Sequence, residues 1–178
     1  MEIVFLVGYM GVGKTTIGKL LSQKMGLQFI DLDKYIESRY RKTIKDIFAV
    51  KGELKFRVIE REMLREVATF QNVLIATGGG TPCFYDNMEV MNHQGVTVYI
   101  KASVEQLVSR LLASKNVRPI IENKSPEELA EFVTTHLAER ERYYSKAKIT
   151  YETEILITKT HVAKSVAAIE RLLYTDNN

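Results

Sequence analysis

The stretch from Gly8 to Thr15 constrains this chain more than any other, because its order, G-Y-M-G-V-G-K-T, suits a backbone wrapped around an anion. Glycines at 8, 11 and 13 reach backbone conformations closed to other residues and keep side chains out of the way, so successive N–H groups can point inward. Lys14 adds a compact positive charge for β- and γ-phosphates, and the Thr15 hydroxyl is a hard oxygen ligand suited to Mg²⁺. The flanks agree. Ile3 to Val7 is a continuous apolar, β-rich run, and Ile17, Leu20, Leu21 and Met25 recur at helical spacing, opening a helix whose N-terminus faces the phosphates. An ordinary glycine turn between a buried strand and a helix explains fewer of these features than nucleotide binding does.

The rest of the composition narrows the class. A chain of 178 residues is most simply one domain, long enough for a layered core. Lys and Arg number 25 against 22 Asp and Glu, a formal charge of +3, which offers no basic block for nucleic acid and suits small anionic ligands. Cys83 is the single cysteine and has no intramolecular partner. With no charged-then-apolar leader and no long apolar span, the sequence predicts a cytoplasmic protein without membrane insertion. Cys83 is given no role beyond a small packed residue.

Apolar β-rich runs recur at Leu27 to Leu32, Val73 to Ala76, Val96 to Ile100 and Glu154 to Ile157, with helical patterns between them. That alternation predicts an α/β domain with a mainly parallel sheet of about five strands, covered by helices on both faces. Ligands collect outside the carboxyl ends of such strands, where the phosphate loop, Asp31-Leu32-Asp33 and Gly78-Gly79-Gly80 would meet. Strand alternation puts Asp31 and Asp33 on one side. One carboxylate is suited to Mg²⁺ through a water and the other to a substrate hydroxyl, although Asp33 serves equally well as the cap of a helix from Lys34. No Asp ends the Val73 to Ala76 strand, so Asp31 is the better metal partner.

The segment from Thr43 to Phe70 reads as helical, with Phe56, Ile59, Met63, Val67 and Phe70 forming a core-facing stripe. Arg57 lies beside it, with Glu53 and Glu60 within pairing distance along the helix. The choice is between a surface ion pair and a guanidinium held by Glu60 to grip a carboxylate. After Arg110 comes a polar stretch, Ala113 to Pro119, that is either a lid over ATP or a solvated loop. A further helix carries Leu129, Phe132, Val133 and Leu137 and ends near Arg140 to Tyr144.

Taken in order, the phosphate loop, F-I-D-L-D, T-I-K-D-I-F, G-E-L-K-F-R-V-I-E, the triple glycine, V-R-P-I-I and the Arg140 to Tyr144 stretch resemble the shikimate kinase family over nearly the whole chain. The resemblance implies a three-layer P-loop fold of the nucleoside-monophosphate-kinase type, as one domain over 1–178. A substrate-binding helical segment would span about 32–62 and a lid about 113–125. It implies transfer of the ATP γ-phosphoryl group to the 3-hydroxyl of shikimate, within aromatic amino-acid and chorismate biosynthesis. It assigns Gly11, Val12, Gly13, Lys14, Thr15 and Thr16, with Arg110 and Arg118, to ATP, and Thr15 and Asp31 to Mg²⁺. Asp33, Arg57, Gly79 and Arg140 fall to shikimate, and Lys14, Asp33 and Arg118 to catalysis. Arg142 competes with Arg140 for the carboxylate, but counting back from Tyr144 favours Arg140. The adenine contact is assigned to Arg110, with the region near Thr158 and Lys159 open.

A monomer is expected. Two other readings stand beside this one: a different small-molecule kinase on the same fold, acting on a sugar acid or a nucleotide, and a non-catalytic ATP-binding regulator that keeps the loop.

Overall fold

The structure, a computed structural model, describes residues 3–114, 124–153 and 158–176. Five strands form one all-parallel sheet: β1 (Ile3–Val7), β2 (Gln28–Asp31), β3 (Val73–Ala76), β4 (Val96–Lys101) and β5 (Ile149–Glu152), in the spatial order β2-β3-β1-β4-β5. Helices α1 (Lys14–Met25), α2 (Leu32–Tyr40), α3 (Ile44–Val67), α4 (Asn87–Gln94), α5 (Val104–Ala113), α6 (Pro126–Tyr144) and α7 (Lys159–Asp176) connect and follow the strands. Parallel strands need such crossovers, and a sheet flanked by helices is buried on both faces. Hence β1 and β3 read as unbroken apolar runs, and Val4 to Val7 and Leu74 and Ile75 are 2% exposed or less. Each fully buried Val, Leu, Ile or Phe contributes on the order of 1.5 to 3 kcal/mol of transfer free energy.

Register brings three strand ends to one level. Leu6 and Asp31 both pair with Ala76, on opposite sides of β3. Thr77, just past β3, donates its N–H and its hydroxyl to the Leu6 carbonyl, holding that end of the sheet against β1. The loops after β1, β2 and β3 therefore open side by side.

The helices start where their sequences say. Thr43 and Asp46, Ser103 and Gln106, and Ser125 and Glu128 form reciprocal capping boxes at α3, α5 and α6. Several expectations need correction. Helix α2 begins at Leu32, so Asp33 stands in its first turn instead of on a strand, and the cap is Asp31, whose Oδ1 accepts from the Lys34 N–H at 3.2 Å. Strand alternation therefore does not relate the two carboxylates. On α1 the buried face is Lys14, Ile17, Gly18, Leu21 and Ser22, whereas Leu20 faces outward. Gly18 is required there, because a Cβ would stand 2.6 Å from the Phe29 ring and 3.1 Å from Leu74. Helix α3 breaks at Gly52, whose φ of 75° is left-handed, and it ends at Val67, so Phe70 lies beyond it. The fifth strand is Ile149–Glu152, and the expected run at 154–157 lies outside the described residues. Among the described residues, no helix is long and apolar enough to cross a membrane.

Candidate active site

The phosphate loop spans the gap from β1 to α1 and depends on left-handed glycines: φ is 140° at Gly8, 80° at Gly11 and 97° at Gly13, the residue that opens α1 without a side-chain cap. A Cβ on Gly8 would lie 2.6 Å from the Ile100 carbonyl oxygen, so the loop is also clamped onto the end of β4. The Lys14 ammonium curls back over it, donating to the carbonyls of Gly8 at 2.7 Å and Tyr9 at 2.9 Å. From α5, Arg110 donates to the Val12 carbonyl at 2.9 Å, and burial pulls its pKa below the ordinary arginine value. Val12 is buried, while Gly11, Thr15 and Thr16 are exposed along the rim.

Thr15 donates its hydroxyl to Asp31 Oδ2 at 2.9 Å, joining the start of α1 to the end of β2. These are two hard oxygen donors beside an uncapped helix N-terminus that attracts phosphate, which is the donor chemistry Mg²⁺ prefers. Among the described residues, no three His, Cys, Asp or Glu side chains gather into a protein-only metal site.

The second half of the site is built on the triple glycine. A Cβ on Gly78 would stand 2.9 Å from Asp33 Oδ1, one on Gly79 would stand 3.5 Å from an Arg140 nitrogen, and one on Gly80 would stand 2.8 Å from both terminal nitrogens of Arg57. The three side chains come from α2, α6 and α3, and the bare backbone lets them converge. Arg57 is 8% exposed and Glu60 1%, which overturns the surface ion pair as an account of Arg57. Its guanidinium donates to Glu60 Oε2 at 2.9 Å and to Glu53 at 3.2 Å, and stacks 4.1 Å from the centroid of the Phe84 ring. Thr81 donates to the other Glu60 oxygen at 2.6 Å, so that carboxylate is held from both sides.

Arg140 lies over the Tyr9 ring at 5.8 Å, whereas Arg142 is exposed and engaged with its neighbour Tyr143. Tyr144 is fully buried and donates to the Gly79 carbonyl at 2.6 Å. Sequence reasoning missed Tyr144, Thr81, Phe84 and the pair of Tyr9 with His136. Thr81 follows the triple glycine directly and His136 stands one turn before Arg140, but nothing in their types announces a role. Burial pushes the Cys83 thiol up to about 11 against the pull of nearby Arg140 and Arg57, so it too borders this half. Arg118 and most of the expected lid lie outside the described residues, while Thr158 and Lys159 stand at the start of α7.

A phosphate loop after β1 of a parallel sheet, with two arginines and an aspartate meeting at the triple glycine after β3, defines a P-loop kinase. The model of the shikimate kinase family matches residues 10–170. Shikimate kinase of Parabacteroides distasonis is 53% identical over 173 residues, covering 97% of this chain and 100% of that one. That of Phocaeicola vulgatus is 47% identical over 173 residues, 97% of this chain and 99% of its own. Among solved structures, shikimate kinase from Bacteroides thetaiotaomicron superposes with a TM-score of 0.94 at 44% identity, covering 97% of this chain and 98% of that one. Shikimate kinase from Acinetobacter baumannii in complex with shikimate superposes with a TM-score of 0.83 at 30% identity, covering 98% of this chain and 94% of that one. The chain belongs to the shikimate kinase family. The readings as a sugar-acid kinase, a nucleotide kinase or a non-catalytic regulator give way to it.

Proposed function

We propose that this chain phosphorylates the 3-hydroxyl of shikimate from ATP with the carboxylate of shikimate held between Arg57 and Arg140, and Asp33 on its hydroxyls. The observation that carries this reading is the convergence of those three side chains on Gly80, Gly79 and Gly78. One carboxylate and three hydroxyls call for two planar cations and one acceptor, each joined by charge-assisted hydrogen bonds. Glu60 and Phe84 fix the plane of the Arg57 guanidinium before substrate arrives, so little rotamer freedom is lost on binding. The Gly79 carbonyl is taken by Tyr144, and its contact to substrate falls to its N–H.

ATP lies along Gly11, Val12, Gly13, Lys14, Thr15 and Thr16. Lys14 exchanges its loop carbonyls for the β- and γ-phosphates, and Arg110 braces the loop through Val12 next to the adenine side. Asp33 accepts a hydrogen bond from the attacking hydroxyl and aims it in line with the γ-phosphorus. Lys14, joined by Arg118 from a lid over about 113–125, stabilises charge on the moving group. Mg²⁺, held by Thr15 directly and by Asp31 through a water, would neutralise the phosphate oxygens when bound. The protein works as a cytoplasmic monomer.

The test is Arg57→Lys, which keeps charge and loses the two-pronged plane. Shikimate affinity measured by calorimetry should fall by about tenfold or more, since a charge-assisted hydrogen bond contributes about 1.5 to 3 kcal/mol. ATP affinity should change little, while the melting temperature should fall as the buried pair with Glu60 and the stack on Phe84 loosen. Parental shikimate affinity, or joint loss of stability and ATP binding, would leave Arg57 as a structural residue.

A further inference from the structure

We infer that His136 is a positioning residue that holds Tyr9 under Arg140, so coupling the phosphate loop to the helix that presents the carboxylate grip. The inference rests on the reading that Arg140 meets the shikimate carboxylate. Tyr9 is the second residue of the phosphate loop and is 1% exposed. Three groups from different parts of the chain meet on it. Its backbone carbonyl accepts from Lys14 at 2.9 Å, its ring underlies the Arg140 guanidinium at 5.8 Å, and its hydroxyl lies 2.9 Å from His136 Nδ1. The two rings meet edge-on at 5.6 Å, and Phe132 backs the imidazole at 4.9 Å. His136 and Arg140 are four residues apart on α6 and so share one face.

The chemistry of the pair sets the direction of the bond. Burial pushes the Tyr9 hydroxyl up to about 12, so at neutral pH it is a proton donor that must find an acceptor. A neutral His136 with its proton on Nε2 supplies one at Nδ1. The charged groups around the imidazole are Arg140 and Glu139 on its own helix and Arg57 and Glu53 from α3. Burial and the two arginines outweigh the two glutamates and keep the imidazole neutral below its ordinary range. Once protonated, Nδ1 becomes the donor, the Tyr9 hydroxyl proton loses its acceptor and a second cation stands beside Arg140, so the support under the guanidinium weakens in acid.

The experiment compares KM for shikimate and for ATP, kcat and melting temperature across about pH 5 to 8, an interval that reaches below the ordinary imidazole range. The proteins are the parent, His136→Leu, His136→Asn, Tyr9→Phe and Arg140→Lys. Loss of one buried hydrogen bond should raise the shikimate KM of His136→Leu and Tyr9→Phe by about three- to tenfold, with ATP KM within about twofold. His136→Asn keeps an acceptor oxygen near the Nδ1 position and should recover most of that loss. The parental shikimate KM should rise as pH falls below the ordinary histidine range, and this rise should be absent in all variants at 136. If His136→Leu fails to fold, Tyr9→Phe decides, because it keeps the ring and removes only the hydroxyl: a raised shikimate KM supports the coupling and an unchanged one overturns it. Parental KM and pH profile in His136→Leu, with or without a lower melting temperature, overturn the inference while an impaired Arg140→Lys leaves the carboxylate reading standing. An unimpaired Arg140→Lys sinks that reading and the inference with it.

Discussion

Tyr144 donates its hydroxyl to the carbonyl of Gly79 across 2.6 Å, so the last turn of α6 is pinned to the middle of the triple glycine. Arg140 stands one turn earlier on the same helix. The bond therefore sets both the height of the arginine above the sheet and the backbone it faces, through a carbonyl that would otherwise be buried without a side-chain partner.

Tyr144→Phe removes that hydroxyl and leaves the ring. An unsatisfied buried carbonyl costs about 1 to 3 kcal/mol, which in a chain of this size lowers the melting temperature by about 2 to 4 °C per kcal/mol. Shikimate affinity should fall with it and ATP affinity should not. Thermal unfolding and calorimetry of the two ligands check this, and an unchanged melting temperature would mean that the bond contributes nothing net.

Gly80→Ala tests the space under Arg57. The new Cβ would stand 2.8 Å from both terminal nitrogens of the Arg57 guanidinium, which could withdraw only by disturbing its bond to Glu60 and its stack on Phe84. Displacing it should weaken shikimate binding by about tenfold or more, the loss expected of a charge-assisted contact. ATP binding should persist, because the phosphate loop follows a different strand. Titration with each ligand separates the outcomes; equal loss of both would mean that the sheet end itself has distorted.

Lys14→Met keeps most of the bulk of the side chain and removes the charge that the loop carbonyls of Gly8 and Tyr9 now hold. Removing one charge-stabilising group of this kind typically costs about 3 to 4 kcal/mol, or 10² to 10³ in rate. A folded Lys14→Met protein turning over near the parental rate would rule out the phosphate role.

What the sequence made legible was local. The phosphate loop, β3 and the stripe through Phe56, Ile59 and Val67 rest on spacing and residue type within one element, and they appear where those patterns put them. What stayed hidden depends on partners far along the chain. Asp31 and Asp33 are two residues apart, yet which of them caps α2 turns on where β2 yields to the helix, and both types cap well. The pairing of Arg57 with Glu60 follows from helix spacing, but the choice between a surface pair and an oriented guanidinium stays open because the burial of Arg57 comes from Phe84 and Glu60 closing over it once α3 packs beside the triple glycine. Tyr9 and His136 are 127 residues apart and carry no shared motif, so only the fold brings them into contact.

Cys83, the single thiol, lies near Arg57 and Arg140 without being made reactive by them. Two cations would ordinarily lower a thiol pKa, but burial is the larger effect and raises it to about 11 from an ordinary value of 9.0. A raised value means that the thiol stays protonated until the pH approaches about 11, and only the thiolate is the nucleophile. At pH 8 the thiolate fraction is then about 0.1%, against about 10% for an ordinary thiol, so alkylation by iodoacetamide should be roughly 100-fold slower in the folded protein than in denaturant. The folded rate should keep climbing with pH through the range where an exposed thiol has levelled off. Alkylation of the folded protein at the denatured rate, levelling near pH 9, would show that the arginines outweigh burial and that Cys83 is an accessible nucleophile at the edge of the site.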